Sequence, residues 1–175
     1  MKIHTQLTVG LTIVFSLSTC LQSENPKDAD GHGKKGHLAG TWKYISLSGR
    51  STKGDFIFPY GKHMFGMLMY DPEGNMSTLL MDPNRPRFSS GDMMNGTPDE
   101  LETAFEGFDA YCGTYTLDEQ NSTITHHVKG AKFPNWVGTD QIRFYEISDD
   151  TLRISAPPIL AHGTEWIFEA VLVRL

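Results

Sequence analysis

The stretch AYCGTYTLDEQNSTITHHVKG, Ala110–Gly130, decides the fold. Both ends are rich in β-forming residues, and Asp118 and Glu119 sit where a hairpin tip meets solvent. The segment therefore reads as two strands, 110–118 and 122–130, joined by a tight turn. Successive side chains on a strand point to opposite faces. Tyr111, Gly113 and Tyr115 share one face of the first strand, with the glycine leaving a gap between two phenols. On the second, Ile124, His126 and Val128 share one face, while Thr123, Thr125, His127 and Lys129 share the other. Adjacent histidines in a strand point oppositely, so His126 and His127 cannot chelate one metal together. His126 is expected inside and His127 in water.

The same alternation continues on either side. GTWKYISLS (40–48), MFGMLMY (64–70), NMSTLLM (75–81), DQIRFYEIS (140–148), TLRISAPP (151–158) and TEWIFEAVLVRL (164–175) read as further strands. Many short strands at regular spacing with polar turns predict an all-β sandwich or closed antiparallel barrel. One helix interrupts. Thr97-Pro98-Asp99-Glu100 is a capping box with proline at the first helical position. Leu101, Ala104, Phe105 and Phe108 then recur at helical spacing, a stripe expected to plug or flank the barrel. Gly107 or its successors should end the helix. The methionines at 64, 67, 69, 76, 81, 93 and 94 offer adaptable packing, for a core or a permissive cavity.

The first residues have another character. Lys2 precedes a charge-free, mostly apolar run, Leu7 to Leu17, shorter than the roughly 20 residues that span a bilayer. Residues 1–19 are expected to be a signal peptide. Leu17-Ser18-Thr19-Cys20 resembles a bacterial lipobox, in which the cysteine is lipidated and becomes the new N-terminus; Thr19 departs from the usual Gly, Ala or Ser. The other reading is an ordinary cleaved leader with an incidental cysteine. Leu21 is not the aspartate that marks inner-membrane retention in many Gram-negative bacteria, so an outer-membrane lipoprotein is the expected location, with a secreted or periplasmic protein as the alternative. Residues 20–37 hold almost no apolar side chains and read as a flexible tether, at most about 50 Å long. One folded domain, 38–175, follows.

The chain carries 15 basic and 21 acidic residues, net −6, and the leader holds one of those lysines. Such a balance argues against nucleic acid as a partner. With Cys20 lipidated, Cys112 is left without a disulfide partner. Asn75, Asn95 and Asn121 begin Asn-x-Ser/Thr triplets that read here as turn chemistry. No HExxH, paired CxxC, phosphate loop, dinucleotide fingerprint or serine elbow occurs, so no metal or cofactor is expected.

Candidate site residues follow from the inward faces. His126 is either a satisfied core histidine or the polar anchor of a cavity, and the acid or base if chemistry occurs. Tyr111 and Tyr115 are either filling or ligand contacts with directional hydroxyls. Arg143 lies inward with Tyr145 or outward, because Ile142 and Phe144 compete for the core face. Inward, it must pair, and a carboxylate or enolate ligand would suit it. Phe133 and Trp136 sit on a turn fixed by Pro134, gating a cavity or capping the core. Arg85 and Arg87, in the irregular segment 81–92, are further candidates for an anion.

Taken together, LAGTWKYISLSG, YGKHMFGMLMYDPEGNMS, MDPNRPRFSSGD, GTPDELETAFEGFDAYCGTYTLD, THHVKGAKFPNWVGTDQIRFYEI and LRISAPP resemble, in that order, the bacterial and fungal lipocalin-like domain family. The resemblance runs from Leu38 to Leu175. It implies a small antiparallel lipocalin-like β-barrel of about eight strands around a central cavity, with one short helix. Gly40-Thr41-Trp42 also resembles the Gly-x-Trp opening of lipocalins, whose tryptophan closes the barrel floor against an arginine; Arg174 would be that arginine here. The expected function is binding of a small, mostly apolar ligand by Tyr111, Tyr115, His126, Arg143 and Trp136, in a protein held to a membrane through Cys20. The alternatives are a cavity isomerase or cyclase using His126 and a tyrosine, and a filled barrel serving the envelope.

Overall fold

The computed structural model describes residues 37–175. The leader, Cys20 and the tether through residue 36 lie outside the described residues. Within them are ten strands: β1 (Gly40–Ser51), β2 (Phe56–Ile57), β3 (Phe65–Tyr70), β4 (Asn75–Met81), β5 (Phe108–Asp118), β6 (Thr123–Ala131), β7 (Asp140–Ser148), β8 (Thr151–Ser155), β9 (Ile159–Ala161) and β10 (Thr164–Arg174). A helix, α1 (Pro98–Glu106), lies between β4 and β5, and a 3-10 turn covers Pro134–Trp136.

Every pairing is antiparallel, and β1 pairs with β10 from Trp42↔Arg174 to Ser51↔Trp166. That contact closes β1-β3-β4-β5-β6-β7-β8-β10 into a barrel. The expected eight-stranded antiparallel barrel with a short helix is what forms. Two short strands add to it. Beyond Lys43, β1 leaves β3 and pairs with β2, while the start of β10 pairs with β9.

Opposite the β2 and β9 end, the barrel has a floor. Trp42 is fully buried, and its indole N–H donates to the Leu38 carbonyl at 2.8 Å. The Arg174 guanidinium lies 4.1 Å from the centre of the Trp42 ring, close enough for cation–π attraction. Its Nη1 and Nη2 donate to the carbonyls of Ala39 and His37. Gly40 is required here: its φ is +141°, and a Cβ would meet Arg174 Nη1 at 2.6 Å.

The capping box forms as expected, with Thr97 Oγ1 accepting from Glu100 N and Glu100 Oε2 accepting from Thr97 N. Glu100 Oε1 also accepts from Ser89 N and so holds the segment preceding α1. The apolar stripe behaves differently from expectation. No residue of α1 is fully buried, and Leu101 and Phe105 are exposed. Charge fastens this helix instead. Arg85 donates to the Ala104 carbonyl and Lys132 to those of Phe105 and Phe108, placing cations at the negative end of the helix dipole. Of the methionines, Met64 and Met76 are buried in the core whereas Met69, Met93 and Met94 are exposed.

Register in the deciding hairpin shifts between Cys112↔Gly130 and Gly113↔Val128. The extra residue on β6 presses its backbone against β5, and a Cβ on Gly113 would fall 2.0 Å from the His127 carbonyl oxygen. The glycine is thus needed for close approach of two chains, in addition to the gap it leaves between phenols. Gly113→Ala should destabilise the fold by about 1–3 kcal/mol through overpacking. Urea denaturation checks this, and a midpoint equal to that of the parent chain would contradict it.

Candidate functional site

Burial changes in steps along the inward faces. On β10 it runs from half-buried Trp166 and Phe168 through Ala170 at 5 % exposure to Leu172 at 0 %. On β5, half-buried Asp109 gives way to Tyr111 at 9 % and Tyr115 at 3 %; on β1, half-buried Leu47 gives way to Tyr44 at 8 % and Trp42 at 0 %. Toward that end Asp109, Trp166 and Phe168 are half-buried, whereas Gly49 and Ser51 on β1, Gly66 on β3 and Leu80 on β4 stay buried. Tyr44, Tyr111, Arg143 and Ile154 form a buried layer next to these half-buried residues.

His126 lies just beneath, engaged on both sides. Its Nε2 is 2.7 Å from the Tyr70 hydroxyl and its Nδ1 is 2.9 Å from the Tyr111 hydroxyl. Burial, then the positive charge of Arg143, then His127, push its pKa down from 6.5 to about 3. The imidazole is neutral near pH 7, with one N–H and one lone pair, so one phenol donates to it and the other accepts. Tyr70 has no other side-chain hydrogen-bond partner among the described residues. Orphaning its proton would cost about 1–3 kcal/mol. Tyr70 therefore donates to Nε2, and Nδ1–H donates to the Tyr111 oxygen. The proton of Tyr111 itself stays available.

Arg143 points inward, which answers the question its strand left open; Ile142 and Phe144 are exposed apolar residues on the outer face of β7. Arg143 is 7 % exposed, and its Nη1 donates to the Ile142 carbonyl at 2.8 Å. Among the described residues, no carboxylate lies within 4.0 Å of it. It acts on Tyr111, whose pKa burial raises and Arg143 pulls back. Asp109 is half-buried, and burial pushes its pKa up while Lys132 and Arg143 oppose that rise. Tyr44 is closed off: Thr78 Oγ1 donates to the Met67 carbonyl, so the Tyr44 hydroxyl, 3.1 Å away, donates to Thr78.

Trp136 packs edge-on to Tyr111, with ring centres 5.4 Å apart, and stands 6.0 Å from the Arg143 guanidinium. Tyr111, His126, Arg143 and Trp136 are thus brought together. Tyr115 pairs with His126 across the strands, but its hydroxyl donates to the Asp71 carbonyl on the floor side. Cys20 lies outside the described residues. His127 faces outward, its Nδ1 2.6 Å from Asp140. Among the described residues, no three His, Cys, Asp or Glu side chains gather as a metal site.

A separate groove of about 580 Å³ lies outside the barrel, lined by Arg85, Arg87, Phe88, Met93 and Ala104. Arg85 is committed to backbone carbonyls there and lies over the Phe108 ring. Sequence reasoning missed Tyr70 and Asp109. Methionines on the opposite face of 64–70 mask the inward parity of Tyr70. For Asp109 the signal existed, since alternation carried back from Tyr111 turns it inward.

The sequence pattern of the lipocalin-like domain family matches residues 39–173. This chain belongs to the lipocalin-like domain family. The 4'-hydroxy-3'-methoxypropiophenone carrier protein ppsC of Aspergillus oryzae is 33 % identical to it over 97 residues, covering 51 % of this chain and 87 % of that protein. A lipocalin-like protein of Bacteroides uniformis aligns in structure at 13 % identity and a TM-score of 0.40, over 79 % of this chain and 98 % of its own. An uncharacterized protein of Bacteroides eggerthii aligns at 12 % identity and a TM-score of 0.36, over 76 % and 98 %.

In this lipocalin-like barrel the imidazole links stability to pH. His126 titrates near 6.5 unfolded and near 3 folded. Between those values the unfolded chain binds more protons, so stability is lost as pH falls, by up to about 1.4 kcal/mol per pH unit. His126→Gln should flatten that slope in urea denaturation between about pH 7 and 4; an unchanged slope would mean that the folded imidazole is already charged. Imidazole ¹⁵N spectra should show the neutral Nδ1–H tautomer, and an Nε2–H pattern would reverse the donor assignment.

Proposed function

We propose that this protein is an exported, lipid-anchored carrier that holds a small, mostly apolar molecule in the hollow of its barrel. The observation that carries this reading is the set of half-buried inward aromatics, Trp136, Trp166 and Phe168, together with the buried polar pair Tyr111 and Arg143 that Trp136 packs against. Binding sites of this kind are concave and apolar with a few placed polar groups. The Aspergillus oryzae relative is a carrier by name, and its named cargo is an aromatic ketone. Half-buried Trp136, Trp166 and Phe168 suit such a ring. His126 has both nitrogens engaged by phenols, an arrangement that fits holding a molecule better than abstracting a proton from it. Cys20, in its lipobox-like setting, would carry the anchor at the outer membrane, and residues 20–37 would be the tether.

Titration of the full chain with 4'-hydroxy-3'-methoxypropiophenone should quench tryptophan fluorescence saturably, and Trp136→Phe should remove much of that signal. Protein isolated from its own host should retain a small molecule in native mass spectra. The absence of both saturable quenching and retained mass would sink the carrier reading. Incorporation of labelled palmitate, lost in Cys20→Ser, tests the anchor independently; labelling that survives the substitution would exclude it.

A further inference from the structure

Two groups of the buried layer, Arg143 and Tyr111, have hydrogen-bond donors left over. Arg143 has five N–H groups; Nη1 donates to the carbonyl of its own neighbour, Ile142, and the guanidinium also reaches the Tyr111 hydroxyl oxygen, which leaves further N–H groups over. Tyr111 has the proton that His126 leaves over, because Nδ1–H already fills one lone pair of its oxygen. The groups that share the field of Arg143 are Tyr44 on β1, Tyr70 on β3, Asp109 and Tyr111 on β5, and His126 on β6. Tyr44, Tyr70 and His126 are engaged with one another's neighbours, as described above. Asp109 is the one carboxyl of the set; it lies beyond ion-pair distance, and burial favours its neutral form. A buried guanidinium is costly without an anion beside it.

We infer that the carried molecule presents an ionised oxygen, of a carboxylate or an acidic enol or phenol, to the Arg143 guanidinium and the Tyr111 hydroxyl, with a flat conjugated body against Trp136, Trp166 and Phe168. This rests on the carrier reading above. The walls support the shape. Trp166 and Phe168 lie nearly parallel, with 22° between planes and 6.5 Å between centres, and Trp136 stands perpendicular to Tyr111. The donors support the charge. A planar guanidinium matches a carboxylate in two parallel bonds, and a hydroxyl beside it adds a third. A neutral molecule that brings only a hydroxyl or amide N–H would meet donors with donors.

Two isosteric probes separate the possibilities in calorimetry on the full chain: 2-naphthoate, an anion, and 2-naphthamide, its neutral counterpart. Naphthoate should bind at least about 10-fold more tightly, the scale of one hydrogen bond to a charged group. Arg143→Gln should abolish that preference, and Arg143→Lys should retain part of it because the charge remains. Tyr111→Phe, which keeps the ring and removes the hydroxyl, should weaken naphthoate by about 10-fold and change naphthamide less. Should Arg143→Gln fail to fold, the Tyr111→Phe comparison decides. Naphthamide binding as tightly as naphthoate would overturn the anionic inference and leave the carrier reading standing. Failure of both probes to bind would overturn the inference of a flat anionic guest, while the carrier reading stands or falls on the quenching and retained-mass measurements above.

Discussion

Closure through β1 and β10 is the constraint on which the rest depends. Until those strands pair, each segment has two faces but no inside. Once Trp42↔Arg174 and Ser51↔Trp166 are in register, period-2 alternation becomes a division between interior and solvent. The same contact sets the polarity of the barrel. Arg174, on the last strand, covers the indole of Trp42 and ties down the chain that enters at Leu38. The floor is sealed by the first and last strands together, and at the other end β1 departs to β2 and β10 to β9.

Within that frame the polar interior is a single connected problem. The imidazole is held by two phenols, and among the described residues no buried side-chain nitrogen or oxygen lacks a partner, which is the condition for a polar network to be tolerated in a core. Arg143 is the member that does not close on itself. Its charge helps keep His126 neutral, so cation and imidazole cannot be understood separately. The network sits above the sealed floor, and its members Arg143 and Tyr111 are the ones that Trp136 packs against.

Much of this was legible in the sequence, and the reasons are local. The 110–130 hairpin declared its faces because apolar and polar residues alternate cleanly in 122–130, so His126 and Tyr111 could be turned inward by counting. The capping box was equally plain, since its two hydrogen bonds lie within four residues. Arg143 could not be settled, because Ile142 and Phe144 on the outer face are as apolar as a core face requires. Tyr70 was hidden by the same effect in a strand with methionines on its far side. The helix stripe misled for a different reason. Leu101 and Phe105 have the right spacing, but Arg85 and Lys132, remote in sequence, fix the helix by its carbonyls and leave its apolar side in water.

The chain as a whole is acidic, which sets the terms on which such a site can select an anion. Long-range attraction would disfavour it, but fields between exposed charges fade beyond roughly 8 Å at physiological salt. A buried guanidinium beside aromatic rings acts at contact distance and in a lower dielectric, where one charge outweighs the screened surface. Capture is then governed by fit and by the pairing of donors rather than by steering. Discrimination should also be asymmetric: apolar walls weakly distinguish a methylene more or less, whereas buried donors strongly reject any guest that leaves them unanswered.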